Sequence, residues 1–191
     1  AANYNVDLKE LADSVGGSLD PEALDSAEWM WDKYGKSMGA DKKIYLACEA
    51  IKWLWRERHP KIKGGWKQLK EAAIAAVDSP GQTFTIPTQK IMFRVVDRWL
   101  VVRLPSGRKL RYFEPRVTGS DRDRVLSYMG VDTDTRRWMR TTTYGGKWCE
   151  NICQAGSSDF IRYGSLQLEK EGFKPVMTIH DEIVLECDQE W

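Results

Sequence analysis

No stretch of this 191-residue sequence approaches the roughly 18 consecutive apolar residues of a membrane-spanning helix, so none is expected. The opening residues, Ala1-Ala-Asn-Tyr-Asn-Val-Asp7, lack a basic segment followed by an apolar one, which argues against a secretory signal. They also lack an initiator Met, as expected of a piece excised from a longer chain. Histidine is scarce, at two residues, and cysteine is limited to four. Cys48, Cys149, Cys153 and Cys187 form no C-x-x-C pair, so neither a disulfide framework nor a zinc site is expected. Reduced cysteines filling the core of a cytoplasmic protein are the expectation instead. With 42% apolar and 30% charged residues, the composition excludes a collagen-like or wholly disordered chain.

What is present is a segregated charge. The net charge is +1, yet residues 1–41 sum to −6, residues 42–148 to +13 and residues 149–191 to −6. A basic block between acidic flanks suits a surface that meets a polyanion, although such blocks are also common as solvated faces.

The first third has helical periodicity. Asp20-Pro21-Glu22 reads as a helix start, with an N-cap acceptor, a proline in the first turn and an acid at the positive end of the dipole. Leu24, Ala27, Trp31 and Tyr34 follow at helical spacing, and Gly35 and Gly39 fall near the end. A second helix is predicted from about Asp41 to Arg58, with Ile44, Ala47, Cys48, Ile51, Leu54 and Trp55 on one face. A third opens at Pro60, carries Ile62, Trp66, Leu69, Ala73, Ala76 and Val77, and stops at Ser79-Pro80-Gly81. The period then changes. Residues 91–96, 99–104 and 108–113 read as strands, with Asp97-Arg98 and Pro105-Ser106-Gly107 as turns. Residues 125–131 and 136–142 form another strand pair. A long helix from Tyr144 to about Glu171 carries Trp148, Ile152, Ala155, Phe160, Tyr163, Leu166 and Leu168. Two short strands close the chain, with Asp181-Glu182 at the tip between them. The nine tryptophans sit mostly among apolar residues at helical spacing, so core packing is expected of them rather than base stacking.

The sharpest chemical feature is Ile179-His180-Asp181-Glu182-Ile183. Acids at turn tips are often structural, but a carboxylate anchored by two apolar strands also suits a hard cation such as Mg²⁺. About twenty residues upstream, the helix reads Tyr144-Gly-Gly-Lys-Trp-Cys-Glu-Asn-Ile-Cys-Gln154-Ala-Gly-Ser-Ser-Asp159. A helix with Gln, four small residues and Asp, followed by a His-Asp-Glu hairpin tip, resembles family A DNA polymerases, particularly the phage type. Leu104-Pro-Ser-Gly-Arg-Lys-Leu-Arg111 resembles that family's Gly-Arg-rich hairpin. Ser127-Tyr-Met-Gly-Val131 and Thr143-Tyr-Gly-Gly-Lys147 are similar to the phage subgroup. Ala1 to Leu11 resembles the stretch just beyond the nucleotide-binding finger helix.

The resemblance implies an α+β chain. Residues 1–80 would be a helical part of the fingers. Residues 81–191 would be the second half of a palm, with antiparallel β-hairpins, a long helix and a catalytic β-hairpin. It implies template-directed addition of deoxynucleotides to a primer 3′ end by two-metal phosphoryl transfer with Mg²⁺, on primer–template DNA and deoxynucleoside triphosphates, in the cytoplasm of a bacterial or phage-infected cell. Asp181 would be a metal-binding carboxylate and Glu182 an auxiliary catalytic one. His180 would contact the primer end, and Gln154 the minor groove, where every base pair presents acceptors. Arg108, Lys109 and Arg111 would bind backbone phosphates. Two family elements are missing: the early palm motif of Asp-Tyr/Phe-Ser-x-Ile/Leu-Glu type, and the Arg-x-x-x-Lys finger helix. Glu150 stands where the family carries Asn. The chain is therefore expected to be an incomplete fragment, inactive alone. Alternatives are half of a split polymerase completed by a second chain, a non-catalytic nucleic-acid-binding module, or a small metal nuclease.

Overall fold

The computed structural model describes residues 21–39, 42–120, 123–133 and 135–188, with the side chains of residues 21–24, 38, 43 and 44 excepted. The Asp20 cap, the finger-like stretch Ala1–Leu11, Trp191 and the side chains of Leu24 and Ile44 lie outside these residues. The chain divides into two compact units, Ala1–Gly64 and Gly65–Trp191. No helix among the described residues is long and apolar enough to cross a membrane.

The described residues of the first unit are mostly helical. Helix α1 spans Pro21–Lys33 and is followed by a 3-10 turn, Gly35–Met38, that ends at Gly39 with a φ of 64°. Helix α2 spans Lys42–Arg58. Its buried positions are Leu46, Ala47 and Ala50, together with Ala27 of α1. The predicted face was rotated, because Cys48, Ile51 and Trp55 are exposed. Trp55 instead stacks on His59 with the ring centroids 4.4 Å apart.

Helix α3, Pro60–Asp78, begins in the first unit and contributes Leu69, Ala73, Ile74 and Ala76 to the core of the second. There, six strands form one antiparallel meander in chain order: β1 Thr83–Ile86, β2 Ile91–Val96, β3 Trp99–Arg103, β4 Lys109–Thr118, β5 Val125–Val131 and β6 Trp138–Thr143. Strand β1 was not foreseen, since four residues with one buried position give too short an alternation. The β2–β3 hairpin turns at Asp97-Arg98, where Asp97 has a φ of 53°, a conformation that aspartate tolerates better than most residues. Period-two alternation puts Ile91, Phe93, Val95, Leu100, Val102, Tyr112 and Leu126 on the inner face.

Helix α4, Gly145–Lys170, follows β6 and brings Trp148 onto that face. The indole is fully buried, edge-on to Phe93 at 5.8 Å and to Tyr112 at 4.6 Å between ring centroids. Glycine is required where α4 begins: a Cβ on Gly145 would lie 2.1 Å from the carbonyl oxygen of Trp66 on α3. Strands β7, Lys174–Ile179, and β8, Glu182–Glu186, form a separate hairpin.

Two composition-based expectations fail. Trp148 alone among the described tryptophans is fully buried, while Trp29, Trp55, Trp99 and Trp138 are exposed. Helical spacing marks a face without saying whether another element covers it, and Trp99 and Trp138 lie on strands. Likewise three of the cysteines do not fill the core: Cys48, Cys153 and Cys187 are exposed, whereas Cys149 is half-buried and packs against it.

Two outcomes follow for the core. Trp148→Ala is expected to cost about 3–5 kcal/mol in denaturant unfolding, as full truncation of a buried aromatic does. Burial also pushes the Tyr112 phenol up to about 12, partly offset by the hydrogen bond it receives from Asn151. The fold favours the neutral phenol, so that contribution to stability is complete below the ordinary value near pH 10 and is lost as pH rises toward 12. Tyr112→Phe should flatten this alkaline loss, as read by chemical unfolding at stepped pH.

Candidate active site

The β7–β8 hairpin and one face of α4 build the site. Ile179 pairs with Glu182, so the two-residue turn is His180-Asp181 and Glu182 is the first residue of β8. This corrects the expected tip by one residue. His180 takes a φ of 52°, a region in which histidine is enriched among non-glycine residues. The first position of a two-residue hairpin turn calls for such a backbone.

Side chains alternate across the hairpin. Thr178, His180 and Asp181 line an open groove of about 620 Å³ whose other wall is α4, through Gln154, Ser157, Ser158, Ile161 and Arg162. The wall positions recur every three or four residues, which keeps them on one helix face. Serines at 157 and 158 leave the space that larger side chains would fill. Helix and hairpin approach at Gly164, where a Cβ would stand 3.5 Å from Ile183 Cδ1.

Gln154, His180 and Asp181, which the resemblance places at one site, share one concave surface. Glu182 does not join them. Its cross-strand partner is Ile179, and directly opposed residues share a face, so it stands on the side away from Thr178 and His180. Arg162 was missed, although its place eight residues after Gln154 on a helix was the available signal.

The Gly-Arg-rich hairpin meets α4 from the other direction. Leu104 donates its N–H to the Arg108 carbonyl at 2.8 Å, closing a turn that passes through Gly107 with a φ of 88°. Arg108 Nε lies 2.7 Å from Asp159 Oδ1, and its guanidinium donates to the Ala155 carbonyl. Ser106 Oγ donates to Asp159 Oδ2 at 2.6 Å. Asp159, the acid that closes the sequence pattern begun at Gln154, is thus the anchor of the β3–β4 turn. The Arg108 guanidinium is occupied within the protein, whereas Lys109 and Arg111 are exposed on β4. Asn151 is also engaged, its amide donating to the Tyr112 hydroxyl at 3.1 Å, and Glu150 pairs with Lys147 at 3.0 Å.

Among the described residues no group of three or more His, Cys, Asp or Glu could hold a metal ion. Asp181 fits one ligand of a hard cation, but one exposed carboxylate beside Gln154 and His180 does not make a Mg²⁺ site.

Over 135 residues the chain is 36% identical to a DNA polymerase of Bacillus phage SP02. The chain is related to a phage DNA polymerase. The match takes in 69% of this chain and 20% of that protein, so the chain spans about a fifth of the relative's length. No family model matches the chain, and no solved structure does.

The turn anchor predicts a coupling. Arg108→Ala and Asp159→Ala should each cost about 1.5–3 kcal/mol, the range for hydrogen bonds to charged groups. The double variant should cost less than the sum of the two, because both remove their shared contact, while the Arg108–Ala155 and Ser106–Asp159 bonds are each lost once. Additive losses in urea unfolding would mean that the two side chains act independently.

Proposed function

We propose that this chain is part of a phage-type family A DNA polymerase, an enzyme that adds deoxynucleotides to a primer 3′ end as directed by a template. The shared groove of Gln154, His180 and Asp181 carries this reading, and the relationship to a phage DNA polymerase supports it. In this reading, residues 1–80 belong to the fingers and residues 81–191 to the palm.

Each role follows from what the side chain can do. Gln154, an exposed amide on a rigid helix, presents both a donor and an acceptor to the minor-groove edge near the primer end. His180, held by its turn, contacts the primer terminus. Asp181 supplies one carboxylate to a Mg²⁺ site whose remaining ligands come from outside the described groove. Glu182, facing away, plays at most an auxiliary part. Lys109 and Arg111 meet backbone phosphates, and Arg108 positions the turn that presents them.

A second segment or chain is required on two counts. A lone carboxylate cannot hold two metal ions in the geometry of phosphoryl transfer. Also, Phe160, Tyr163 and Leu166 on α4 and Val176, Met177 and Ile179 on β7 are all exposed, an apolar area that suits burial against another surface. The split-polymerase reading therefore stands beside the fragment reading.

The test is primer extension. The 191-residue chain alone should extend no primer, because it lacks the orientation of the triphosphate, worth roughly 7–11 kcal/mol of the barrier. With a chain that supplies the missing palm and finger motifs, extension should appear. In that mixture Asp181→Ala should abolish it, and Glu182→Ala should only reduce it. Robust extension by this chain alone would overturn the fragment reading and the assignment of the metal-binding residues.

A further inference from the structure

The sheet has two faces, and only the inner one is explained by the core. On the outer face the register sets Arg103 beside Lys109, and places Arg94 and Arg111 on either side of Val101. Strand spacing puts Arg94 and Arg111 about 10 Å apart, and the two rows lie about 7 Å apart along the strands. These four cations surround a depression of about 500 Å³ that also exposes Val96 and Trp99 and is floored by Met92 and Val101. Asp97, at one end, is the carboxylate that lines it.

Four other arginines of this unit are held by carboxylates. Arg98, Arg108, Arg124 and Arg140 each face a carboxylate: Glu114, Asp159, Asp78 and Glu114 in turn. Among the described residues no carboxylate pairs with Arg94, Arg103, Lys109 or Arg111. A merely solvated face has no need of an apolar centre. Here Trp99 is 39% exposed and rests on Phe113 with ring centroids 4.7 Å apart, which fixes the indole's orientation.

We propose that this outer sheet face binds single-stranded DNA, with Arg94, Arg103, Lys109 and Arg111 on the phosphates and Trp99 stacked on a base. Unpaired bases can cover Trp99 and Val96, whereas a duplex offers only phosphates to a flat sheet face. The site lies on the side of the sheet opposite Trp148 and α4, apart from the groove at Asp181. The choice of DNA over RNA rests on the polymerase reading; the choice of a single strand rests on the face itself.

The experiment is fluorescence anisotropy of the 191-residue protein with a labelled oligothymidylate, over a range of salt. Arg94→Glu with Arg103→Glu should weaken binding at least ten-fold. It should also lower the slope of log K against log salt by about 1.4, the release expected of two single-strand phosphate contacts. Trp99→Ala should weaken binding about five-fold or more and leave the slope unchanged. Lys67→Glu with Lys70→Glu on α3, the same change in net charge, should alter binding less than three-fold. Arg94→Gln with Arg103→Gln guards against misfolding: it should weaken binding in the same sense while keeping the wild-type melting temperature. Equal losses from the α3 and sheet variants would overturn the site. So would a duplex whose binding the sheet variants weaken as much as they weaken that of the single strand, or an unchanged affinity in Trp99→Ala. Ten-fold tighter binding of oligouridylate would overturn the assignment to DNA. Primer extension is not the readout, so loss of the polymerase reading and loss of this site are separate results.

Discussion

The core of the second unit centres on one indole. Trp148 is the largest fully buried side chain, and it touches Phe93 from β2 and Tyr112 from β4. The sheet alone has an apolar inner face that water would wet. Helix α3 covers part of it, and α4 covers the rest with Trp148 near its first turn, flanked by Cys149 and Ile152. The entry is tight enough that the preceding backbone touches α3, which is why glycine stands at position 145. From that fixed point α4 runs on to Lys170, carrying Gln154 to the groove and Asp159 to the β3–β4 turn. The chemistry at the hairpin tip is thus aimed from the core.

How legible this was in the sequence depended on the range of the interaction. Strand and helix positions follow from period and turn chemistry, which are local, and most elements lie where their pattern puts them. Helix faces were less legible. The rotation of α2 toward Leu46, Ala47 and Ala50 depends on what lies opposite, and an apolar position at helical spacing does not say whether it will be covered. The same limit explains the exposed tryptophans and cysteines.

The candidate site shows the same division. Gln154, His180 and Asp181 could be singled out in sequence because their motifs are short and ordered, and the structure gathers them at one groove. The separate facing of Glu182 could not be read in advance, since it follows from a one-residue difference in where the turn falls. Nor could the internal use of Arg108, because its partner lies 51 residues away in Asp159 and on a different element. Arginines look alike in a sequence; a carboxylate at hydrogen-bond distance is what separates an anchor from a phosphate contact.

The meander has a consequence for the order of assembly. Each of the six strands pairs with its neighbour in the chain, so each pairing closes only a short loop. Such a sheet has low contact order, and its hairpins can zip one after another as the chain emerges from a ribosome. The residue that completes the core arrives after all of them, at the start of α4. Until Trp148 is delivered, the nascent sheet holds an uncovered apolar inner surface beside α3 alone. The vulnerable interval in making this protein therefore runs from the first hairpin to the synthesis of that tryptophan.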